Sequence, residues 1–453
     1  MNLQETQYID LNTLKELLLF PGSEQLQQYL DSYRPEDIAE VFWDLNEEER
    51  KMTLLAVEKE KGVDIINSLD DELQERFLRS YSSEELAKNI ISFLNTDDAV
   101  DILNHFPSHK ADEIIHHLNN QDFARNLISL LHYEENVAGG LMEKELIKVR
   151  SHWTMSRCVE EIRKQAEVVE HVYTIYAVDE RDLLLGIVSL KEVVLQRENT
   201  PVQEILKKDF IHVTAYTPAE EVASIMNKYD LVAIPVVDSL GRLMGRITID
   251  DVVDFIKEEA DKDFQLQAGL TENVESGDRI WILSRARLPW LLIGLSGGLA
   301  SSSLISGFEE DLSLVPQLAF FMPVVAAMGG NAGVQSSAII VQGLANNTLK
   351  SKNIFPKLGK ELMVSLLNGT VCALLMYAWN IIIGLRPDLA LTVSTALLSV
   401  IVFASILGTL TPLVLERFKV DPALATGPFI TTTNDIIGLG FYFLIGRVIL
   451  GTF

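Results

Sequence analysis

Only two cysteines occur among 453 residues, Cys158 and Cys372. Their settings differ so much, one among charged residues and one in a long apolar run, that no disulfide framework is expected, and the soluble part reads as cytosolic. Histidine is scarce too, with eight in the chain. Three of these, His116, His117 and His132, fall in a helical pattern where surface or core placement accounts for them. No nucleophile–base constellation stands out, so an enzyme is not expected. The opening stretch, MNLQETQYIDLNTLKELLLF, lacks the basic flank, apolar core and small-residue cleavage site of a secretory signal, so later segments are expected to drive membrane insertion. Basic residues are short of acids by 38 to 64, a net charge of −26. The shortage is local: from Leu288 onward eight acids and eight bases balance, so the whole excess lies earlier. Such a region repels nucleic acid, which is not expected as a partner, and attracts cations.

What is present falls into regions. Up to about Ala138, segments such as RPEDIAEVFWDLNEEER and SSEELAKNIISFLNTDDAVDILNHF combine a polar starter, an acidic first turn and apolar residues at helical spacing. Related units repeated in this way predict an α-helical superhelical domain. From about Leu141 to Phe255 short strands alternate with helices, twice. VYTIYAVDERDLLLGIVSLKEVV and VAIPVVDSLGRLMGRITIDDVVDFI share one plan: a strand, an acidic turn, a Gly-containing strand, then a helix opened by Ser or Thr. The second copy closely resembles a CBS domain through PVVD, Pro235 to Asp238, and GRLMGRITIDDV, Gly241 to Val252; the first does so more loosely. In many CBS pairs a G-x-x-[ST]-x-x-D element meets a nucleotide ribose. That resemblance implies Thr248 and Asp251 in one copy, Ser189 and Glu192 in the other, and ATP or another adenine nucleotide as ligand. Plain helix capping by Ser and Thr is the competing reading.

Five apolar stretches follow, roughly Leu288–Gly307, Pro316–Leu344, Glu361–Leu385, Leu389–Leu415 and Gly427–Leu450, each reaching the ~20 residues that cross a hydrocarbon core. The basic loops NTLKSKNIFPKLGK and ERFKVDP, with Arg285 and Arg287 before the first stretch, place the N-terminus on the cytosolic side and the C-terminus outside. The second stretch holds Gly329, Gly330, Asn331 and Gln335. Either these form a tight helix seam or they line a water-filled path, and amides in lipid favour the latter. The fifth stretch carries Thr431, Thr432 and Asn434 just before Asp435. An aspartate at bilayer depth costs ~2.5–3.5 kcal/mol on insertion scales, so it faces a partner, a cavity or an ion. Oxygen ligands without nearby Cys or His favour a hard cation, and Mg²⁺, which keeps its waters, suits one carboxylate per chain. Two copies in a C2 dimer would face the ion from both sides. The structural alternative pairs Asp435 with Arg447 or caps it with threonines.

The order of an acidic helical domain, CBS pair, connecting helix and five spans resembles the MgtE family of bacterial magnesium channels over nearly the whole chain, most specifically in MGGNAGVQSS and DPALATGPFITTTND. The resemblance implies a multidomain protein: a cytosolic α-helical superhelical domain (1–138), an α/β tandem CBS pair (139–200 and 201–258), a connecting helix (259–287) and an all-α membrane domain with five transmembrane helices (288–453). It further implies a homodimer in the cell membrane that takes up Mg²⁺ past Asp435. A cation-coupled transporter of Mg²⁺ or other divalent metals is the rival. Sensing of intracellular Mg²⁺ is implied for Asp97, Asp98, Asp101, Glu220, Asp230, Asp251, Asp254, Glu258, Glu259, Asp263 and Asp421. Pro218 and Lys262 stand where relatives can carry acids.

Overall fold

The computed structural model describes residues 9–166, 169, 171–271, 274, 279–345, 354–425 and 427–451. The chain divides into two compact units between Lys257 and Glu258. The first unit opens with short helices, ten among the described residues, from Leu11–Leu18 to Gln121–Leu130. Local chemistry sets their starts. Asn46 and Glu49 exchange side-chain-to-backbone hydrogen bonds, Ser82 and Glu85 do the same, and Pro35 occupies the first turn of its helix. Each reciprocal cap satisfies two N–H groups that a helix start leaves open. Helices this short are not stable alone and depend on tertiary packing. One core gathers Leu14, Leu26, Leu30, Ile38, Phe42 and Leu73. A second runs from Phe77, Leu86, Ile102 and Leu127 to Val222, Ile234 and Ile247, so the helical region and the second α/β copy share an interior.

The duplicated plan is visible in the sheets. Strands β1 (Ile147–Arg150), β2 (Ile175–Val178) and β3 (Leu184–Val188) form one sheet, and β4 (Val213–Thr214), β5 (Ala233–Val237) and β6 (Leu243–Thr248) form the other. In each, the first pair is parallel and the second antiparallel, with a register shift at the matching place, Ala177/Val178 and Val236/Val237. The hairpin turns match as well. Asp179 and Asp238 each accept two backbone N–H bonds across their turn. The two hairpins clasp through Leu184 N–H to the Gly241 carbonyl at 3.0 Å and Leu243 N–H to the Asp182 carbonyl at 2.9 Å.

The helix Ile249–Gln267 begins as the closing helix of the second copy and continues unbroken past residue 258. It stops before Gly269, whose φ of +84° suits glycine. The next helix starts at Ile280, eight residues before the apolar stretch, because arginine continues a helix well while ending a hydropathy window. The expected connector is thus shared between two helices. Among the described residues, five helices are long and apolar enough to cross a membrane: Ile280–Ser306, Pro316–Ala345, Phe355–Ile382, Pro387–Arg417 and Pro428–Leu450, called here the first to fifth spans. The fourth is the most enclosed, and the first and third are largely exposed. Lys350 and Lys352, in the loop used to orient the chain, lie outside the described residues.

Candidate functional site

Glycine decides how the second, fourth and fifth spans meet. A Cβ on Gly408 would fall on the Gly333 carbonyl oxygen, so the fourth and second spans touch backbone to backbone there. On its other side Gly333 leaves room for the Asn434 amide, onto which a Cβ would fall. Asn434 is 1 % exposed, and its Nδ2 donates to the Gly329 carbonyl at 3.3 Å. This seats the residue before Asp435 against the second span.

Asp435 itself is half-buried. Its Oδ1 lies 4.0 Å from where a Cβ on Gly330 would stand, with the Thr431 methyl 3.2 Å from the same point. Gly330, Thr431 and Asp435 therefore share one small space between two spans. The structural alternatives for Asp435 are occupied elsewhere. Arg447 pairs with Asp311 at 2.8 Å and lies over the Phe308 ring at 4.6 Å. The Thr431 and Thr433 hydroxyls donate to the Gly427 and Phe429 carbonyls of their own helix. Thr432 packs against Gly297 of the first span. Asn331 and Gln335, one turn apart, are both exposed, so they form a polar strip on the second span rather than a packed seam within the chain. Sequence reasoning missed the bond from the Ser336 hydroxyl to Glu361 Oε1 at 2.7 Å. A glutamate inside an apolar run was the available signal.

In the first unit the expected regulatory acids converge in part. Asp97 and Asp98 open the helix Thr96–Asn104, and Asp251 opens the helix Ile249–Gln267. Burial raises the Asp97 carboxyl well above the ordinary range, and repulsion from Asp251, Asp98 and Glu143 adds to it. Burial likewise pushes Asp251 up to about 6, against the hydrogen bonds it accepts from Thr248. Glu145 joins the group by accepting from the Thr96 N–H and hydroxyl at 3.2 and 2.6 Å. Glu143 is 4 % exposed and holds Arg246 at 2.6 Å. Burial still pushes its carboxyl up to about 7, with Arg246 opposing. Neither Glu143 nor Glu145 stood out beforehand, since their partners lie far away in sequence.

Asp101, Glu220, Asp230 and Asp254 are exposed. Asp230 ends its helix with φ +51°, a role that Asp tolerates better than most residues. In the second unit Glu258 is exposed and Asp263 half-buried. Glu259 has both oxygens 3.1 Å from the Lys262 ammonium, and Asp421 accepts from the Ala423 N–H at 2.8 Å. Among the described residues no three Asp, Glu, His or Cys side chains cage an ion by themselves. The nucleotide-motif residues act as caps: Ser189 accepts from the Glu192 N–H at 3.3 Å, and Asp251 accepts from Thr248.

Sequence profiles match three parts of the chain: residues 322–445 the one described as "Divalent cation transporter", residues 33–136 the "MgtE intracellular N domain", and residues 202–258 the CBS domain. The magnesium transporter MgtE of Thermus thermophilus is 32% identical over 458 residues, covering 97% of this chain and 98% of that protein. The chain belongs to the MgtE family. The MgtE of Bacillus subtilis is 35% identical over 312 residues, 69% of each chain. Among solved structures, the cytosolic domain of the Mg²⁺ channel MgtE in complex with ATP is 31% identical, covering 54% of this chain and 99% of that one with a TM-score of 0.51. The soluble part of a magnesium transporter is 25% identical, covering 55% and 97% with the same score. Membership agrees with the order of parts: an MgtE helical region, a CBS pair, then five spans.

Proposed function

We propose that this protein carries Mg²⁺ across the cell membrane along a path lined by Asp435, and that acids of its soluble region report cytosolic Mg²⁺ to that path. It is a multi-pass membrane protein with a soluble N-terminal region, related over most of its length to magnesium transporters. The observation that carries the reading is Asp435: a half-buried carboxylate inside an apolar span, beside Gly330, while the cation at the end of the same span is engaged by Asp311. A carboxylate at that depth needs a counter-charge, and hydrated Mg²⁺ supplies one with few direct protein ligands. Gly329, Gly330, Thr431, Thr432 and Asn434 shape the path; Asn331 and Gln335 offer exposed amides to it or to a second copy. We take the protein to act as a homodimer with the C-terminus outside, the pore on the two-fold axis, and domains ending near 138, 200, 258 and 287.

For regulation, the convergence of Asp97, Asp98, Asp251 and Glu143 is the supporting feature. Asp97 keeps a buried Oδ1 that accepts no hydrogen bond, an oxygen suited to a hard cation or to the waters around one. When cytosolic Mg²⁺ is high, these carboxylates and those at Glu220, Asp230, Asp254, Glu258, Glu259, Asp263 and Asp421 lose their mutual repulsion, and the shut state is favoured. An adenine nucleotide at Ser189, Glu192, Thr248 and Asp251 is the weaker part, because in this structure those groups serve as caps. Reversal potentials measured across bilayers holding the protein test the transport mode. Potentials that follow the Mg²⁺ gradient alone support a channel; potentials that move with pH or Na⁺ support the coupled transporter. Replacing Asp251, Asp254 and Glu259 by neutral residues should abolish Mg²⁺-dependent protection from protease, and unchanged protection contradicts the sensing role.

A further inference from the structure

Both hairpins of the CBS pair border one cavity, of about 470 Å³. Lys144, Lys148, Arg181 and Arg242 stand around it with only Asp182 and Asp238 against them, so its walls leave two positive charges uncompensated. The neutral pairs are explicit: Arg242 Nε lies 2.7 Å from Asp238, and Lys148 Nζ lies 3.6 Å from Asp182, which Arg150 also reaches at 3.0 Å. Lys144 and Arg181 form no ion pair among the described residues. Lys144 is half-buried, and its ammonium donates to the Met244 carbonyl at 3.0 Å, although it has three hydrogens to place. Glu145, next in the chain, turns its Oε2 to Thr96 instead. Positive charge here runs against composition, because the chain's whole surplus of acid lies before Leu288; a concave wall concentrates such a field. Asn126, on the helix Gln121–Leu130, adds an amide, so the cavity joins the helical region to both CBS copies. The nucleotide-motif residues are not part of it. Leu243 begins β6 and Thr248 ends it, roughly 16 Å apart along the strand, and Asp182 and Ser189 flank β3 in the same way.

We propose that this cavity binds the phosphate group of a small phosphorylated metabolite, whose charge matches the two positive charges that Lys144 and Arg181 leave open. A phosphate monoester carries close to two negative charges at neutral pH and three strong acceptor oxygens. The Arg181 guanidinium offers a planar fork suited to two of these oxygens, and the remaining hydrogens of the Lys144 ammonium can take a third. A single carboxylate would leave one of the two charges unanswered. Leu146, Leu243 and Met244 supply an apolar edge for the organic part, and the volume is within the range of small-molecule sites. Bound there, the metabolite holds the helix Gln121–Leu130 to both hairpins, so its concentration sets the cohesion of the first unit independently of Mg²⁺.

The experiment titrates inorganic phosphate, at pH 8 and in EDTA, into the full-length protein in detergent, read by calorimetry and by amide exchange in the helix Gln121–Leu130. The parent should bind one phosphate per chain, with slower exchange around Asn126. Arg181→Gln and Lys144→Gln should each weaken binding by about tenfold or more, the size of one charge-assisted hydrogen bond, while Lys144→Arg should keep it. Arg181 is exposed, so its variant decides the matter even where thermal unfolding shows Lys144→Gln to be misfolded. Phenyl phosphate, which adds an apolar body, should bind several-fold more tightly than inorganic phosphate. Absence of binding in the parent overturns the proposal, as does binding that Arg181→Gln leaves unchanged. Loss of binding in Glu192→Gln with Thr248→Ala would move the phosphate to the nucleotide motif and overturns it too. Weaker binding of phenyl phosphate than of the free ion overturns the assignment to a metabolite, and a hexaglutamate peptide that binds as tightly as phosphate would make the cavity a dock for an acidic segment instead. Binding is read without transport, so the result stands apart from the Mg²⁺ path.

Discussion

Adding one methyl group at Gly333 should disable the protein, and the structure gives the reason and the size. An alanine Cβ there would fall on the Asn434 amide and stand 2.8 Å from Ile430 Cγ2. The second span cannot back away, because on its other side the Gly333 carbonyl already touches Gly408. Either the helices separate or Asn434 leaves its place. Overpacking of this kind costs ~1–3 kcal/mol. Displacing Asn434 also breaks its bond to the Gly329 carbonyl and strands a buried amide, a further ~1–3 kcal/mol. Gly333→Ala should therefore lower stability by roughly 2–6 kcal/mol by these two contributions. It should also move Asp435, one residue along, out of register with Gly330. The assay is thermal unfolding of the full-length protein in detergent together with Mg²⁺ entry into proteoliposomes. Asn434→Ala added to Gly333→Ala makes room for the methyl and should recover part of the lost stability. A Gly333→Ala protein that melts and conducts like the parent would refute the packing argument, as would a double variant less stable than the two separate losses combined.

Three further outcomes are expected. Arg447→Met leaves Asp311, 6 % exposed, without its partner, and should destabilise the protein by ~1–3 kcal/mol, with Asp311→Asn in the same chain recovering most of it; equal melting of Arg447→Met and parent would contradict the clamp. Thr248→Ala removes a donor to Asp251 and should lower stability by ~1 kcal/mol, as lost caps do, whereas Thr248→Ser should not; if nucleotide rather than capping governs the site, only affinity for ATP will change. The third concerns pH. Glu143 and Asp251 have folded-state values raised to about 7 and about 6. Raised carboxyls favour the folded state fully below their unfolded values near 4 and lose that contribution as pH climbs through 6 to 7. In EDTA the first unit should thus exchange its amide hydrogens more slowly, relative to intrinsic rates, at pH 5 than at pH 8, with Mg²⁺ narrowing the gap. The opposite order would mean that these acids do not govern its cohesion.

Much of the architecture could be read from residues because it is written in local signals. Ser82 with Glu85 and Asn46 with Glu49 announce helix starts three residues apart, and the two CBS copies repeat each other turn for turn. Five apolar runs announce five spans. The centre of the candidate path was visible in one residue, Asp435, since a carboxylate in an apolar run contradicts its surroundings. What escaped were pairings that no period encodes. Arg246 finds Glu143, and Arg447 finds Asp311, across more than a hundred residues in each case. The pairing of Arg447 with Asp435 that the sequence offered fails on distance, since twelve residues of one unbroken helix separate the two by about 18 Å, and only folding brings Arg447 to Asp311.

The account stands most directly on Mg²⁺ entry into dye-loaded proteoliposomes, compared between the parent and Asp435→Ala at low and high Mg²⁺ on the cytosolic face. It predicts entry that is lost in the variant and, in the parent, suppressed by cytosolic Mg²⁺. Equal entry through both proteins would contradict it, making Asp435 a structural carboxylate and placing the path elsewhere.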